Sequence, residues 1–378
     1  MKILFTAGGT GGHFYPIIAV AEAVEDISDE QKLVEPQLYY AAPTPYDRQM
    51  LAAHEITFVP TAAGKIRRYF SIRNFFDLFK TSWGILRSVI HVFFLYPDVV
   101  FGKGGYGSFP MLLAAKLFRI PVVIHESDAV PGRVNAWAGK FAAYIAISFD
   151  ETSKYFPKDK VALTGVPVRK AVRFPAPDGA HEFLKLEKEI PTILVLGGSQ
   201  GAAALNDCIL EALPELLPKY QIVHQAGAGN SKEIEGRAKI ILVGSPFADR
   251  YKPLGYLNDL AMKMSAGVAK VVVSRAGSTI FEIALWGMPS ILVPLPPDVA
   301  ADDHQTKNAY AYARTGAASV IEQQNLLPGV LVAEIDRIIT RPDVAAHMSE
   351  AAKYFSRPDA AKVIAQKLLD IGLSHEQD

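Results

Sequence analysis

The residues best placed to do chemistry sit where short apolar runs break into glycine. Gly8-Gly-Thr-Gly-Gly-His13 follows a run that begins at Ile3, and Gly197-Gly-Ser-Gln-Gly201 follows one that begins at Thr192. A glycine-rich turn between a strand and a helix lets a ligand approach the backbone closely. The helix start beyond it offers unpaired N–H groups and the positive end of a dipole. Two such turns imply two places for anionic groups. The bland alternative is a pair of tight strand-to-helix turns, and repetition of the device in both halves weighs against it. A second device is duplicated as well. Asp98 to Tyr106, with Gly104 and Gly105, leads into a helical pattern and then Ile120-Pro121; Lys270 to Gly277 leads into another and then Met288-Pro289.

Polar residues gather at the same predicted strand ends. His13 stands just past the first glycine turn, and a histidine titrating near neutrality suits a general base for a hydroxyl; a capping or core histidine is the structural alternative. Glu126 and Asp128, in His125-Glu-Ser-Asp128, add carboxylates on that side. In the second half, Glu282 lies one helical turn beyond the small-residue loop at Gly277, where a carboxylate can accept two hydrogen bonds from a ribose cis-diol. Gln305 and Asn308, in Asp303-His-Gln-Thr-Lys-Asn308, offer amides suited to sugar hydroxyls. Several chemistries are disfavoured by spacing. Neither glycine cluster has Gly-x-Gly-x-x-Gly, neither is followed by Gly-Lys-Ser/Thr, and the nine histidines show no HExxH. Asp302-Asp303-His304 is only a weak metal candidate, so no metal site is expected. The single cysteine, Cys208, excludes a disulfide framework and reads as a small buried hydrophobe.

Alternating strand and helix patterns must position these residues. In the first half the strands are Ile3–Ala7, Leu38–Ala42, Val99–Phe101, Val122–His125, Tyr144–Ser148 and Val161–Leu163. In the second they are Ile193–Leu196, Gln221–His224, Ile240–Val243, Val271–Val273 and Ile291–Val293. This is α/β: two Rossmann-like, doubly wound parallel-sheet domains, with a cleft expected between them. The boundaries read as residues 1–165 and 166–357, with a linker near Gly165-Val-Pro-Val-Arg169 and Phe174–Gly179. An amphipathic helix within residues 358–378, from Ala360 to Leu373, is expected to be able to return to the first domain.

At 378 residues, 50% hydrophobic and 21% charged, the composition is that of an ordinary globular protein; its formal charge of zero argues against nucleic acid. No targeting segment and no apolar stretch of about 20 residues is visible. One segment stands apart. From Lys65 to Arg87, cations including Arg67 and Arg68 are interleaved with Phe75, Phe76, Phe79 and Trp83. That mixture suits an anionic bilayer surface, with a core helix as the alternative and single-stranded nucleic acid a weaker one. A protein of reducing cytoplasm that touches a membrane surface is expected.

Gly8 to His13, Gly104-Gly-Tyr106, His125-Glu126, Gly165 to Arg169, Gly197 to Gly201 with Asn206, Arg275 to Glu282, and Asp303 to Asn308 together resemble the MurG family of bacterial cell-wall transferases. The match spans almost the whole chain in the family's order. Single motifs are shared with other two-domain glycosyltransferases, but the full set is specific. The resemblance implies a GT-B enzyme that moves N-acetylglucosamine (GlcNAc) from UDP-GlcNAc to the 4-hydroxyl of the muramyl-pentapeptide sugar of lipid I, with inversion, giving lipid II. It implies no cofactor or catalytic metal, and a peripheral place on the cytoplasmic face of the cell membrane. Its implied partners are UDP-GlcNAc, lipid I, an anionic membrane surface and proteins of cell-wall synthesis.

By the same resemblance, Glu282 holds the ribose and Ser199, Gln200 and Gly201 the donor diphosphate. Gln305 and Asn308 take the GlcNAc hydroxyls, Tyr256-Leu257 covers uracil, and Arg169, Asn206 and Gly277 line the donor pocket. Thr10, Gly11, Gly12, Gly104, Gly105 and Tyr106 line the acceptor side, with His13 the first choice of base ahead of Glu126 and Asp128. Two departures stand out. Asp128 lies where the family often carries asparagine, and its charge would repel a diphosphate unless a cation such as Arg133 intervenes. Ala203 replaces a common arginine. The other readings are a GT-B transferase with another lipid-linked acceptor, a non-catalytic nucleotide-sugar-binding protein, and a sugar-nucleotide 2-epimerase of the same architecture.

Overall fold

A computed structural model describes residues 1–64, 72–198, 201–296 and 303–377; of the side chains at 72–78 and 376–377 nothing is said. The chain divides into two compact units, Met1–Arg169 with Arg357–Asp378, and Lys170–Ser356.

The first unit holds a seven-stranded parallel sheet: β1 (Lys2–Thr6), β2 (Gln37–Ala42), β3 (Thr57–Pro60), β4 (Val99–Gly102), β5 (Val122–Glu126), β6 (Tyr144–Ile147) and β7 (Val161–Leu163), in the order β3-β2-β1-β4-β5-β6-β7. The second holds six: β8 (Thr192–Leu196), β9 (Gln221–Gln225), β10 (Tyr251–Leu254), β11 (Ala269–Ser274), β12 (Ser290–Leu292) and β13 (Ala318–Val320), in the order β10-β9-β8-β11-β12-β13. Each sheet therefore winds one way from its first strand and then reverses. The reversal falls between β1 and β4 in one unit and between β8 and β11 in the other. At such a point the connections diverge to opposite sides, leaving a crevice at the strand ends where open α/β sheets bind ligands. The two duplicated sequence devices are the turns that follow these four strands.

Central strands are apolar on both faces because helices cover both faces. Val99, Val100 and Phe101 are fully buried, as are Val271, Val272 and Val273. The edges differ. β3, β10 and β13, which the sequence reading did not assign, are all edge strands. β10 carries Lys252 and Pro253, residues an edge tolerates and a central strand does not. The run Ile240–Val243 was expected as a strand and is instead the end of the helix Ser231–Ile241 and the turn after it. Four apolar residues cannot be told from a helix end by periodicity, and here Ile240 and Val243 are exposed.

The helix Gly11–Gln31 leaves the first glycine turn and runs along the sheet. It is closed over by the returning helix Ala360–Gln377, whose Ile364, Ala365, Leu368 and Leu369 are fully buried against Ile17, Val20 and their neighbours. Full burial of a leucine or isoleucine contributes about 1.5–3 kcal/mol, so this helix completes the first core rather than decorating it. Replacing Leu368 with Ala should cost about 2–5 kcal/mol. A urea-unfolding midpoint unchanged from wild type would show that the helix is not part of that core.

Candidate functional site

At the first switch point the two turns touch. Gly8 N donates to Gly104 O at 2.8 Å. Gly104 and Gly105 have φ of 84° and 80°, and a methyl placed on Gly105 would lie 2.8 Å from Gly8 Cα. Side chains are excluded at the contact, so the strand ends present backbone. Gly11 and Gly12 open the helix, with Thr10 as its N-cap. Thr10 Oγ1 and His13 Nδ1 are 2.7 Å apart, while His13 Nε2 faces Gly105. If Nδ1–H donates to the hydroxyl, Nε2 keeps its lone pair for a proton. Tyr106 starts the short turn after Gly105 and is exposed.

Behind this turn lies a buried ionic group. Glu126 Oε1 accepts from Asp128 N at 2.9 Å; Oε2 accepts from Gly132 N at 3.0 Å and Asn135 Nδ2 at 2.9 Å. Both oxygens thus organise the loop 127–132. Burial and the neighbouring Asp128 push the Glu126 carboxyl upward. Lys103, which the sequence reading passed over as one more residue between glycines, is 1% exposed and donates to Ser127 Oγ at 2.8 Å. Burial pulls its ammonium down to about 8, against the opposing pull of Glu126 and Asp128. His13 falls to about 4 through burial and then Lys103, with Asp128 acting the other way. His125 is different in kind: fully buried, it bonds Gly165 O at 2.8 Å through Nε2 and holds the start of the linker.

In the second unit Ser199 and Gln200 lie outside the described residues, but their surroundings do not. Gly201 has φ of 76°, and a side chain there would strike Asn230 and Ala226 O. Asn206 is buried, donating to Ala226 O at 2.9 Å and pairing its Oδ1 with His224 Nε2 at 3.1 Å; His224 Nδ1 meets Tyr251 OH at 2.8 Å. An amide oxygen only accepts, so Nε2 carries the proton and Nδ1 accepts from tyrosine. Burial lowers His224 to about 3, keeping it neutral. Asn206 therefore braces the glycine turn from behind.

At the end of β11, Arg275 donates to Val293 O, Pro294 O and Gln323 Oε1, tying this loop to the one after β12. Gly277 has open space where a side chain would be, and Glu282 lies in the first turn of the helix Thr279–Trp286. Asn308 is buried and donates to Ala276 O at 3.2 Å, while Gln305 Oε1 accepts from Leu295 N at 2.9 Å. Gln305 and Asn308 are thus anchored on the loops after β12 and β11, and Glu282 sits on the helix that follows β11. Leu257 is buried in the core beside an exposed Tyr256. Arg169 belongs to the first unit, with its guanidinium 3.9 Å over the Tyr15 ring. Cys208 is buried, and burial pushes its thiol up to about 11. Among the described residues no group of three His, Cys, Asp or Glu is arranged to hold a metal.

Residues 3–147 match the glycosyltransferase family 28 N-terminal domain and residues 192–364 the family 28 C-terminal domain. The UDP-N-acetylglucosamine–N-acetylmuramyl-(pentapeptide) pyrophosphoryl-undecaprenol N-acetylglucosamine transferase of Treponema denticola is 34% identical, covering 100% of this chain and 99% of that protein. The Legionella pneumophila protein of the same name is 34% identical over 96% of this chain and 95% of its own. A crystal structure of Acinetobacter baumannii MurG superposes with a TM-score of 0.71 at 27% identity, covering 98% and 99% of the two chains. The chain belongs to the MurG family of glycosyltransferases. Its fold is GT-B. The Neisseria meningitidis UDP-GlcNAc 2-epimerase, 16% identical with a TM-score of 0.65, shares the fold alone.

The basic aromatic segment Lys65–Arg87 is partly described. Arg67 and Arg68 lie outside the described residues, as do the side chains of Phe75 and Phe76. The helix Ile72–Leu95 packs Gly84, Ser88 and Val92, spaced by four, onto its own unit, with Gly84 against Ala62 O. Its other face shows Phe79, Trp83 (58% exposed), Leu86, Ile90, Phe93 and Phe94 (79% exposed) to solvent. No helix of the described residues is long and apolar enough to cross a membrane.

The depressed His13 and His224 values have a pH consequence. Each is protonated at higher pH in the unfolded chain than in the folded one, so stability falls as pH drops from 6.5 and the loss continues to the folded values. Urea midpoints measured between pH 7 and 4 should decline less steeply in His13→Gln than in wild type, and NMR of His13 should show a neutral ring at pH 6. A normal titration near 6.5 would show that this half-buried ring keeps its hydration.

Proposed function

We propose that this protein transfers GlcNAc from UDP-GlcNAc to the 4-hydroxyl of the muramyl sugar of lipid I, forming lipid II at a membrane surface. The observation that carries this reading is the occurrence of one glycine-turn device at two switch points. A lipid diphosphate at the first and a nucleotide diphosphate at the second account for both. Family membership supplies the substrate class, since the relatives carry that activity in their names.

In a direct displacement the acceptor oxygen bonds the anomeric carbon as the bond from that carbon to the diphosphate oxygen breaks, and the acceptor proton passes to a base. His13 fits that role, because Thr10 anchors Nδ1 and burial keeps the ring unprotonated at neutral pH. Glu126 has both oxygens committed to its loop, which leaves it an organiser. On the donor side Glu282 would take the ribose diol and Gln305, held by Leu295 N, would turn its NH2 to a GlcNAc hydroxyl. Backbone N–H groups at the turn containing Gly201 would stabilise the departing diphosphate, a task needing preorganised donors but no metal. The exposed aromatic face of helix Ile72–Leu95 would lie in the headgroup layer of an anionic cytoplasmic leaflet.

Purified protein should transfer radiolabelled GlcNAc to a lipid I analogue in the presence of EDTA; a strict requirement for added metal would remove the metal-free mechanism. His13→Ala should lower kcat by about 10²–10⁴-fold while leaving the KM for UDP-GlcNAc nearly unchanged, whereas Glu282→Ala should chiefly raise that KM. For the membrane face, the double substitution Phe93→Ser, Phe94→Ser should weaken sedimentation with phosphatidylglycerol vesicles. Equal binding by wild type and variant would dismiss this face.

A further inference from the structure

Lys103 is a buried ammonium at a crossing point. It follows β4 immediately before the two positive-φ glycines that meet Gly8; its backbone N–H donates to Thr6 O and its ammonium to a neutral hydroxyl, Ser127 Oγ. Burying a cation is costly unless charges nearby compensate it. Those charges are Glu126 and Asp128. Glu126, the stronger of the two at Lys103, already accepts two hydrogen bonds from its loop and one from Asn135 in the helix Arg133–Ala138, while the charge of Asp128 is felt both by Lys103 and by His13. A carboxylate so close to a glycine turn that must receive a phosphate would repel that phosphate.

We propose that Lys103 is a positioning residue of the acceptor side: held on Ser127, its ammonium offsets Asp128 and so lets the first glycine turn accept a diphosphate beside an acidic loop. This rests on the reading that the first unit binds a lipid-linked diphosphate. Lys103 acts through Asp128 and the loop rather than by touching the reacting atoms. The two residues form a unit: a neutral residue at 103 is harmful only while 128 carries charge.

A double-mutant cycle on the full-length protein tests this, using Lys103→Met, Asp128→Asn and the pair, with KM for a lipid I analogue, KM for UDP-GlcNAc and urea midpoint as readouts. Lys103→Met should raise the acceptor KM by about tenfold or more in the wild-type background and by less than about threefold in the Asp128→Asn background, with the donor KM little changed in both. Equal effects in the two backgrounds, or no effect on acceptor KM, would overturn the proposal. Absence of transfer by wild type would instead sink the functional reading; the urea midpoints then decide the pair, with a smaller loss for Lys103→Met in the Asp128→Asn background expected and strict additivity refuting it. If Lys103→Met alone fails to fold, recovery of a folded protein on adding Asp128→Asn is the expected result, and failure of both variants refutes it.

Discussion

The contact between Gly8 and Gly104 governs the first half of this molecule. Two strand-to-helix turns can share a hydrogen bond of 2.8 Å only if neither carries a side chain at the meeting point. That one exclusion sets the exit of the helix Gly11–Gln31, places His13 over Gly105, and brings Lys103 beneath the turn. The second unit uses the same sheet reversal but braces its turn differently, through the buried chain from Tyr251 to His224 to Asn206 to the carbonyl of Ala226. In both places the backbone presented to a ligand is held by groups that cannot themselves be seen from the ligand side.

The two braces differ in charge. Around Gly201 the support is neutral throughout: an amide, a neutral imidazole and a phenol. Around Gly8 it is ionic, with buried Lys103 and Glu126 beside a half-buried Asp128. Buried charges are retained at a cost in stability. Here they hold a loop, fix the protonation of a nearby histidine and balance one another, which is the pattern expected where pKa values are tuned for chemistry.

The helix Ile72–Leu95 has two unlike faces. Small residues at four-residue spacing let it sit closely on the sheet layer, so its large aromatic residues are turned outward by necessity rather than left over. An aromatic face of that size left in water is a liability, which is the constraint behind the proposal that it meets a headgroup layer.

Most of the architecture was legible in the sequence. Glycine clusters after apolar runs located both switch points, the central strands were visible because burial on both faces demands continuous apolar residues, and the motif order pointed to the family. Lost to the sequence reading were β3, β10 and β13, because an edge strand need not be apolar, and the helix end at Ile240, which four apolar residues disguise. At the site, the sequence nominated His13 as the first choice of base, ahead of Glu126 and Asp128. Only the tertiary structure shows their surroundings, since hydrogen-bond commitment and burial are properties of the assembled loop: Glu126 has both oxygens occupied, the His13 ring is lowered to about 4, and the charge of Asp128 is felt by a lysine 25 positions away in sequence. Sequence fixes which groups a chain owns; distance through a folded, dry interior decides which of them feel one another.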